Sequence, residues 1–156
     1  MDTNMNTHDD VVKVLNDLIE TCFDGANGFR TAAEGVSEDR LKALFTDFSR
    51  QREQLAAELQ TEVTRLGGEP VDSGSMAGAA HRGWINIKAA VTGKDDAAIL
   101  AECERGEDVA VDEYEKALQT QTPEDTAQII RRQYATVKAA HDRVRELEKS
   151  HEQAAH

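Results

Sequence analysis

Aromatic residues are scarce in this chain. Phe, Tyr and Trp make up 4% of its 156 residues, and there are two prolines and two cysteines. A β-sandwich or barrel uses aromatic residues on its pleated faces and turn residues between its strands, so the shortage of both excludes that class. Cys22 and Cys103 show no CxxC spacing and cannot build a disulfide framework. Both fall on apolar helical stripes and read as buried, reduced thiols. No apolar run approaches the roughly 20 residues that span a bilayer. Positive charge is also short, with 18 Lys plus Arg against 30 Asp plus Glu, a formal charge of −12. Phosphates repel such a surface, so neither nucleic acid nor an anionic membrane is an expected partner. The opening residues are polar and acidic, unlike a secretory leader. The expectation is a cytoplasmic protein of one domain, 1–156.

What the chain does have is helical periodicity. Apolar residues recur at intervals of three and four in four long segments, about 8–36, 38–66, 95–121 and 123–152. The first stripe runs Val11, Leu15, Leu18, Ile19, Cys22, Ala26, Phe29, Ala33 and Val36, with Asn6 or Thr7 as its cap. The second runs Leu41, Leu44, Phe45, Phe48, Arg52, Leu55, Ala56, Leu59 and Val63, with Ser37 as its cap and Gly67-Gly68 as its stop. The third carries Ile99, Leu100, Cys103, Glu107, Ala110, Tyr114, Ala117 and Leu118. The fourth restarts at Thr122-Pro123 and carries Ala127, Ile130, Tyr134, Val137, His141, Val144 and Leu147.

Connection lengths then set the topology. The first two helices, and the last two, are joined by almost nothing, so each pair is an antiparallel hairpin. Residues 67–94 hold six of the ten glycines and a short helix predicted over 77–91. A link of that length can travel the whole bundle, about 40–45 Å at 1.5 Å per residue. The expected fold is all-α, a ferritin-like four-helix bundle of two hairpins joined by one long crossover.

Such bundles raise a chemical question. Di-iron and di-manganese bundles place one Glu on each of two helices and a Glu-x-x-His pair on each of the other two. No complete Glu-x-x-His occurs here: Glu53 is followed by Ala56, and Lys138 precedes His141. The polar residues on the inward stripes are Arg52, Glu107 and His141, with Tyr114 and Tyr134 beside them. Two readings stand. In one, Arg52, Glu107, His141, Tyr114 and Tyr134 form a buried polar network that fixes helix register, with no cofactor. In the other, Glu53, Glu104, Glu107 and His141 hold one Fe or Mn ion. One step of helix rotation decides whether Arg52 or Glu53 faces inward. His81, Arg82 and Trp84 on the crossover form a candidate partner surface, with Trp84 as the alternative anchor of that segment. No nucleophile paired with a base, phosphate-cradling loop or zinc spacing is present, so a catalytic set is not assigned.

Several stretches together resemble a family: Val14-Leu-Asn-Asp-Leu-Ile19, Asp24-Gly25 with Gly28-Phe-Arg30, Leu66-Gly-Gly-Glu-Pro70, His81-Arg-x-Trp84 and Glu102-Cys-Glu-Arg-Gly-Glu-Asp108. Tyr114 with Ala117-Leu118, and Arg132-Gln-Tyr134 with His141-Asp142, add to them. The chain is similar, from about 8 to 149, to the bacterial ferritin-like family classed as domain of unknown function 2383. The resemblance implies a ferritin-like bundle related at superfamily level to rubrerythrin-like and ferritin-like iron proteins. It supplies no substrate. Members resemble one another in an Asp-Gly-Glu triplet where this chain has Asp24-Gly25-Ala26, so Ala26 removes a first-helix ligand; Glu107 and His141 remain as a site remnant. The functional expectation is a structural or stress-protective bundle. The rivals are an iron or manganese protein or oxidase, and an adaptor that binds a protein through 67–94. A homodimer is also an expected partner state.

Overall fold

The computed structural model describes residues 2–72 and 83–154, with side chains over 8–72 and 83–153. Helix α1 spans Asp2–Gly35, α2 Asp39–Arg65, α3 Ile87–Thr92, α4 Asp96–Gln119 and α5 Glu124–Ala154. Among the described residues there is no strand, and no helix is long and apolar enough to cross a membrane. The four long helices are the four predicted segments. The predicted 77–91 helix is corrected to the six-residue α3. Its expected residues 77–82 lie outside the described residues, and residues 83–86, with Gly83 at φ +77°, are turns rather than helix.

Three boundary expectations are corrected. Helix α1 already covers Asn6 and Thr7; acidic residues suit the positive end of a helix wherever its first turn lies, so nothing stops it there. Ser37 does not cap α2. Glu38 holds that position without a side-chain cap, while Ser37 donates from its backbone N and its Oγ to Asp96, at 3.0 and 2.7 Å. The hairpin turn is thereby tied to the start of α4. Pro123 lies just outside α5, and its carbonyl accepts the Ala127 N–H at 2.9 Å. The Gly67-Gly68 stop holds as expected: Gly67 takes φ +84°, its N–H donates to Thr64 O, and that of Gly68 donates to Val63 O, both at 2.9 Å. This pair of bonds is a Schellman ending, which needs the left-handed residue glycine supplies.

Contacts fix the topology. Residues from the start of α1 pack with the end of α4, and Val36 and Ala33 at its end pack with Ile99 and Leu100 at the start of α4. So α1 and α4 run antiparallel. Leu41 packs near Leu147, whereas Glu62 at the other end of α2 meets Thr126 at the start of α5. Helices α2 and α4 are therefore parallel, and the 67–94 link crosses the length of the bundle as the sequence indicates. The apolar interior falls into two clusters. One holds Leu15, Ile19, Cys22, Leu59, Tyr114 and Val137; the other holds Phe29, Phe45, Trp84, Ile99, Cys103 and Val144. The polar layer around Arg52 and Glu107 separates them along α2 and α4.

The crossover is pinned by its tryptophan. Trp84 is 3% exposed and meets Phe29 edge-on, centroids 5.0 Å apart. A Cβ added at Gly28 of α1 or Gly106 of α4 would lie 2.2 and 2.1 Å from its ring, so both glycines make the socket. Behind it, Asn86 N donates to Glu102 Oε2 at 3.2 Å. Trp84 is thus an anchor, which corrects its place in a partner surface; His81 and Arg82 lie outside the described residues. Gly106→Ala should force the ring from its socket and cost about 1–3 kcal/mol as overpacking does. Trp84 is the single tryptophan, so urea unfolding followed by its fluorescence reads both the loss and a red shift of the native emission.

Candidate functional site

The site is built at mid-bundle, where α2 and α4 face each other diagonally across the core, between α1 and α5. Position 52 belongs to the inward stripe of α2, one turn after Phe48 and one before Ala56, so helix geometry carries its head group into the core. Arg52 is 1% exposed and Glu107 of α4 is 0% exposed. Arg52 Nη2 donates to Glu107 Oε2 at 2.5 Å. The guanidinium carbon lies 5.5 Å from the centre of the Phe29 ring. A Cβ at Gly25 would come within 3.0 Å of Nη1, so α1 yields space with small residues there. Ser49 Oγ, one helical turn before Arg52, donates to the Ala26 carbonyl at 2.7 Å and ties α2 to α1. Glu53 points outward, its side chain 53% exposed and 3.9 Å from Arg30. The rotation left open by the sequence is settled in favour of Arg52 inside.

A guanidinium does not lose its proton in a protein, and a lone buried cation is untenable, so Glu107 carries the compensating charge. Burial pushes the Glu107 carboxyl up, and the adjacent Arg52 offsets part of that rise. Burial would lower the Arg52 value, but Glu107 more than reverses it. The pair is not saturated: Arg52 Nε and Glu107 Oε1 are buried without a hydrogen-bond partner.

The other predicted polar residues do not join this pair in one network. His141 is 5% exposed but turns its ring to the rim. Its Nε2 lies 2.7 Å from Asp108 of α4 and its Nδ1 lies 3.1 Å from Asp142, which also holds Lys138 at 2.8 Å. Burial lowers the His141 value, yet the bonds to Asp142 and Asp108 leave it above the ordinary 6.5. Tyr114 is fully buried and donates to Gln133 Oε1 at 2.7 Å, with Cys22 Sγ 3.2 Å from its hydroxyl. Burial raises the Cys22 thiol to about 11, which leaves it un-ionised at neutral pH. Tyr134 is half-buried against the core cluster, and its hydroxyl donates outward to Glu115 at 2.8 Å. Glu104 is half-buried beside the Glu102–Arg105 pair.

Sequence reasoning missed Gln133, Glu58, Glu62 and Thr126. Gln133, fully buried, donates to Leu55 O at 3.2 Å and Glu58 Oε1 at 2.7 Å. Arg132 pairs with the same Glu58, at 2.7 Å, and Thr126 Oγ1 donates to Glu62 Oε2 at 2.6 Å. The signal was present as positional spacing: 126, 130, 133, 137, 140, 144 and 147 share a face of α5. Reading the apolar Ala127 and Tyr134 as inward rotated that face by one residue.

Compared with known proteins, residues 10–120 match the family model described as domain of unknown function (DUF2383), more than half of the chain. Among solved structures, a two-domain protein from Anabaena variabilis, containing DJ-1/ThiJ/PfpI-like and ferritin-like domains, is similar in fold. Its TM-score is 0.76 at 22% identity, over 92% of this chain and 40% of that one. The chain thus spans two-fifths of that protein's length, and at this identity the likeness shows the fold alone. No curated protein matches the chain.

A ferritin-like fold implies a metal pair at mid-bundle, and the donor set here does not suit one. A guanidinium lies where the carboxylates would converge. Position 26 of α1 is an alanine, Glu53 faces solvent, and His141 is engaged at the rim. Among the described residues, no group of three or more His, Cys, Asp and Glu is placed to hold an ion.

Two outcomes follow from this geometry. Arg52→Met should cost about 3–5 kcal/mol, because it strands a buried carboxylate, whereas Arg52→Met with Glu107→Met should lie much closer to wild type. Equilibrium urea unfolding of the three proteins checks the order. For His141, a raised folded-state value means its contribution is complete below the ordinary 6.5 and fades as pH rises through the folded value. The Tm gap between wild type and His141→Gln should therefore be widest below the ordinary 6.5 and narrow as pH rises above it; a gap that widens with pH contradicts the assignment.

Proposed function

The chain belongs to the family described as domain of unknown function (DUF2383), and on that premise we propose a non-enzymatic role for it. It acts as a structural or stress-protective ferritin-like bundle whose metal centre has given way to a buried polar pair. The observation that carries this reading is the Arg52 guanidinium, 1% exposed and 2.5 Å from Glu107. In that position a fixed positive charge repels an incoming cation and occupies the carboxylate a metal would need. The reading is further supported by Ala26, which offers α1 no ligand, and by Glu53, which faces solvent. Under the rival iron or manganese reading, Glu53, Glu104, Glu107 and His141 would have to converge, which requires breaking the Arg52–Glu107 pair and turning α2 about its axis.

The test is elemental analysis after anaerobic Fe(II) and Mn(II) loading and desalting of tag-free protein. The expected result is no stoichiometric retention of either ion. One or two ions per chain, lost in Glu107→Ala, overturns the reading and makes oxygen and peroxide consumption the next assays.

A further inference from the structure

The space around the Arg52 head group has a defined chemistry of its own. On one side is a single carboxylate, Glu107, with Oε2 at 2.5 Å and Oε1 buried and unpartnered. On another is the Phe29 ring, 5.5 Å from the guanidinium carbon. On a third is Gly25, whose absent Cβ would lie 3.0 Å from Nη1. Divalent ions require several oxygen, nitrogen or sulfur ligands converging on a point. A guanidinium is planar, weakly hydrated and singly charged, and it pairs with a single carboxylate and stacks on an aromatic face. The surroundings match the second demand and not the first. We propose that mid-bundle is a binding site for a guanidinium-type monocation, filled in the native protein by the tethered head group of Arg52. Cutting the tether should leave a site that takes the free ion. This rests on the reading above, that the metal centre has been displaced by Arg52.

The two variants to use are Arg52→Ala and Arg52→Val; the second fills the space of the stem while vacating that of the head group. Thermal melts are recorded in guanidinium chloride at about 20 mM, far below its denaturing range, with urea and sodium chloride at equal concentration as controls. Guanidinium should raise the Tm of a folded variant by at least about 2 °C over both controls, increasing with the logarithm of its concentration. Wild type should show no such gain, and adding Glu107→Gln should abolish it. If neither variant folds in buffer, recovery of helical circular dichroism in the same series is the readout.

Guanidinium performing no better than urea and sodium, in either readout, overturns the proposal. So does a larger gain from Mn(II) or Zn(II) than from guanidinium, which would make the vacated space a metal site. Metal retention by wild type is scored separately. It would sink the proposed function, whereas a metal-free wild type without guanidinium rescue sinks only this inference.

Discussion

The bundle is organised around one buried ion pair. Arg52 and Glu107 sit between two apolar clusters, 1% and 0% exposed, so neither charge reaches bulk solvent. Desolvating two charges costs several kcal/mol each, and their attraction compensates only when they meet in good geometry. The pair is therefore poor evidence of extra stability and strong evidence of a constraint. Sliding α4 past α2 by one turn, about 5.4 Å, would strand both charges, whereas a purely apolar interface would tolerate such a slip at lower cost. The neighbours conform to the pair: Gly25 and Ala26 on α1 are small, Phe29 turns its ring toward the guanidinium, and Ser49 binds the Ala26 carbonyl.

The fold was legible because it rests on periodicity and connection length, and both are properties of the chain alone. The stripes of α1 and α4 map onto buried residues almost unchanged; Leu118, at 37% exposed, is the exception on α4. Glu107 and His141 could be singled out because a charged residue on an apolar stripe is conspicuous. Their partners could not. Whether His141 meets Glu107 or Asp108 depends on a rotation of about 100° between neighbouring helix positions, which periodicity does not resolve. On α5 the same ambiguity hid Gln133 and Thr126. Both are polar, so hydropathy assigns them outward, yet each is buried because Tyr114 and Leu55, or Glu62, satisfies it. Burial of a polar side chain is decided by what waits for it across the interface. That information belongs to the pair, not to one segment.

The two halves of the bundle are closed by different means. Toward the α4–α5 turn, the seam between α2 and α5 is laced with polar contacts: Glu58 with Arg132 and Gln133, and Glu62 with Thr126. Toward the α1–α2 turn the closure is aromatic, with Phe29 against Phe45, Phe48 and Trp84 at 5.0 to 5.7 Å. The long crossover explains the division. Trp84 has to be inserted between α1 and α4 from outside, and only the aromatic half, with Gly28 and Gly106, leaves a socket for it. The polar half needs no such plug, because its side chains are long enough to reach across the gap.

Charge is sorted by depth in the same way. The chain carries a net −12, yet among the described residues the largest fully buried side chain is an arginine. At the surface an excess of carboxylates is solvated and screened within about 8–10 Å at moderate salt. In the interior, a single carboxylate without a cation would be pushed to its protonated form. Arg52 keeps Glu107 ionised where the acidic surface cannot, and that requirement would be met by a divalent ion in a metal-binding bundle. A guanidinium carries its own tether, needs no supply from solution and does not change charge with pH or redox state. Under the proposed function, a covalent cation stands where a metal-binding bundle holds an exchangeable one, and the central charge pairing of the layer is retained. On that proposal the bundle geometry rests on a charge pair that the chain supplies from its own residues.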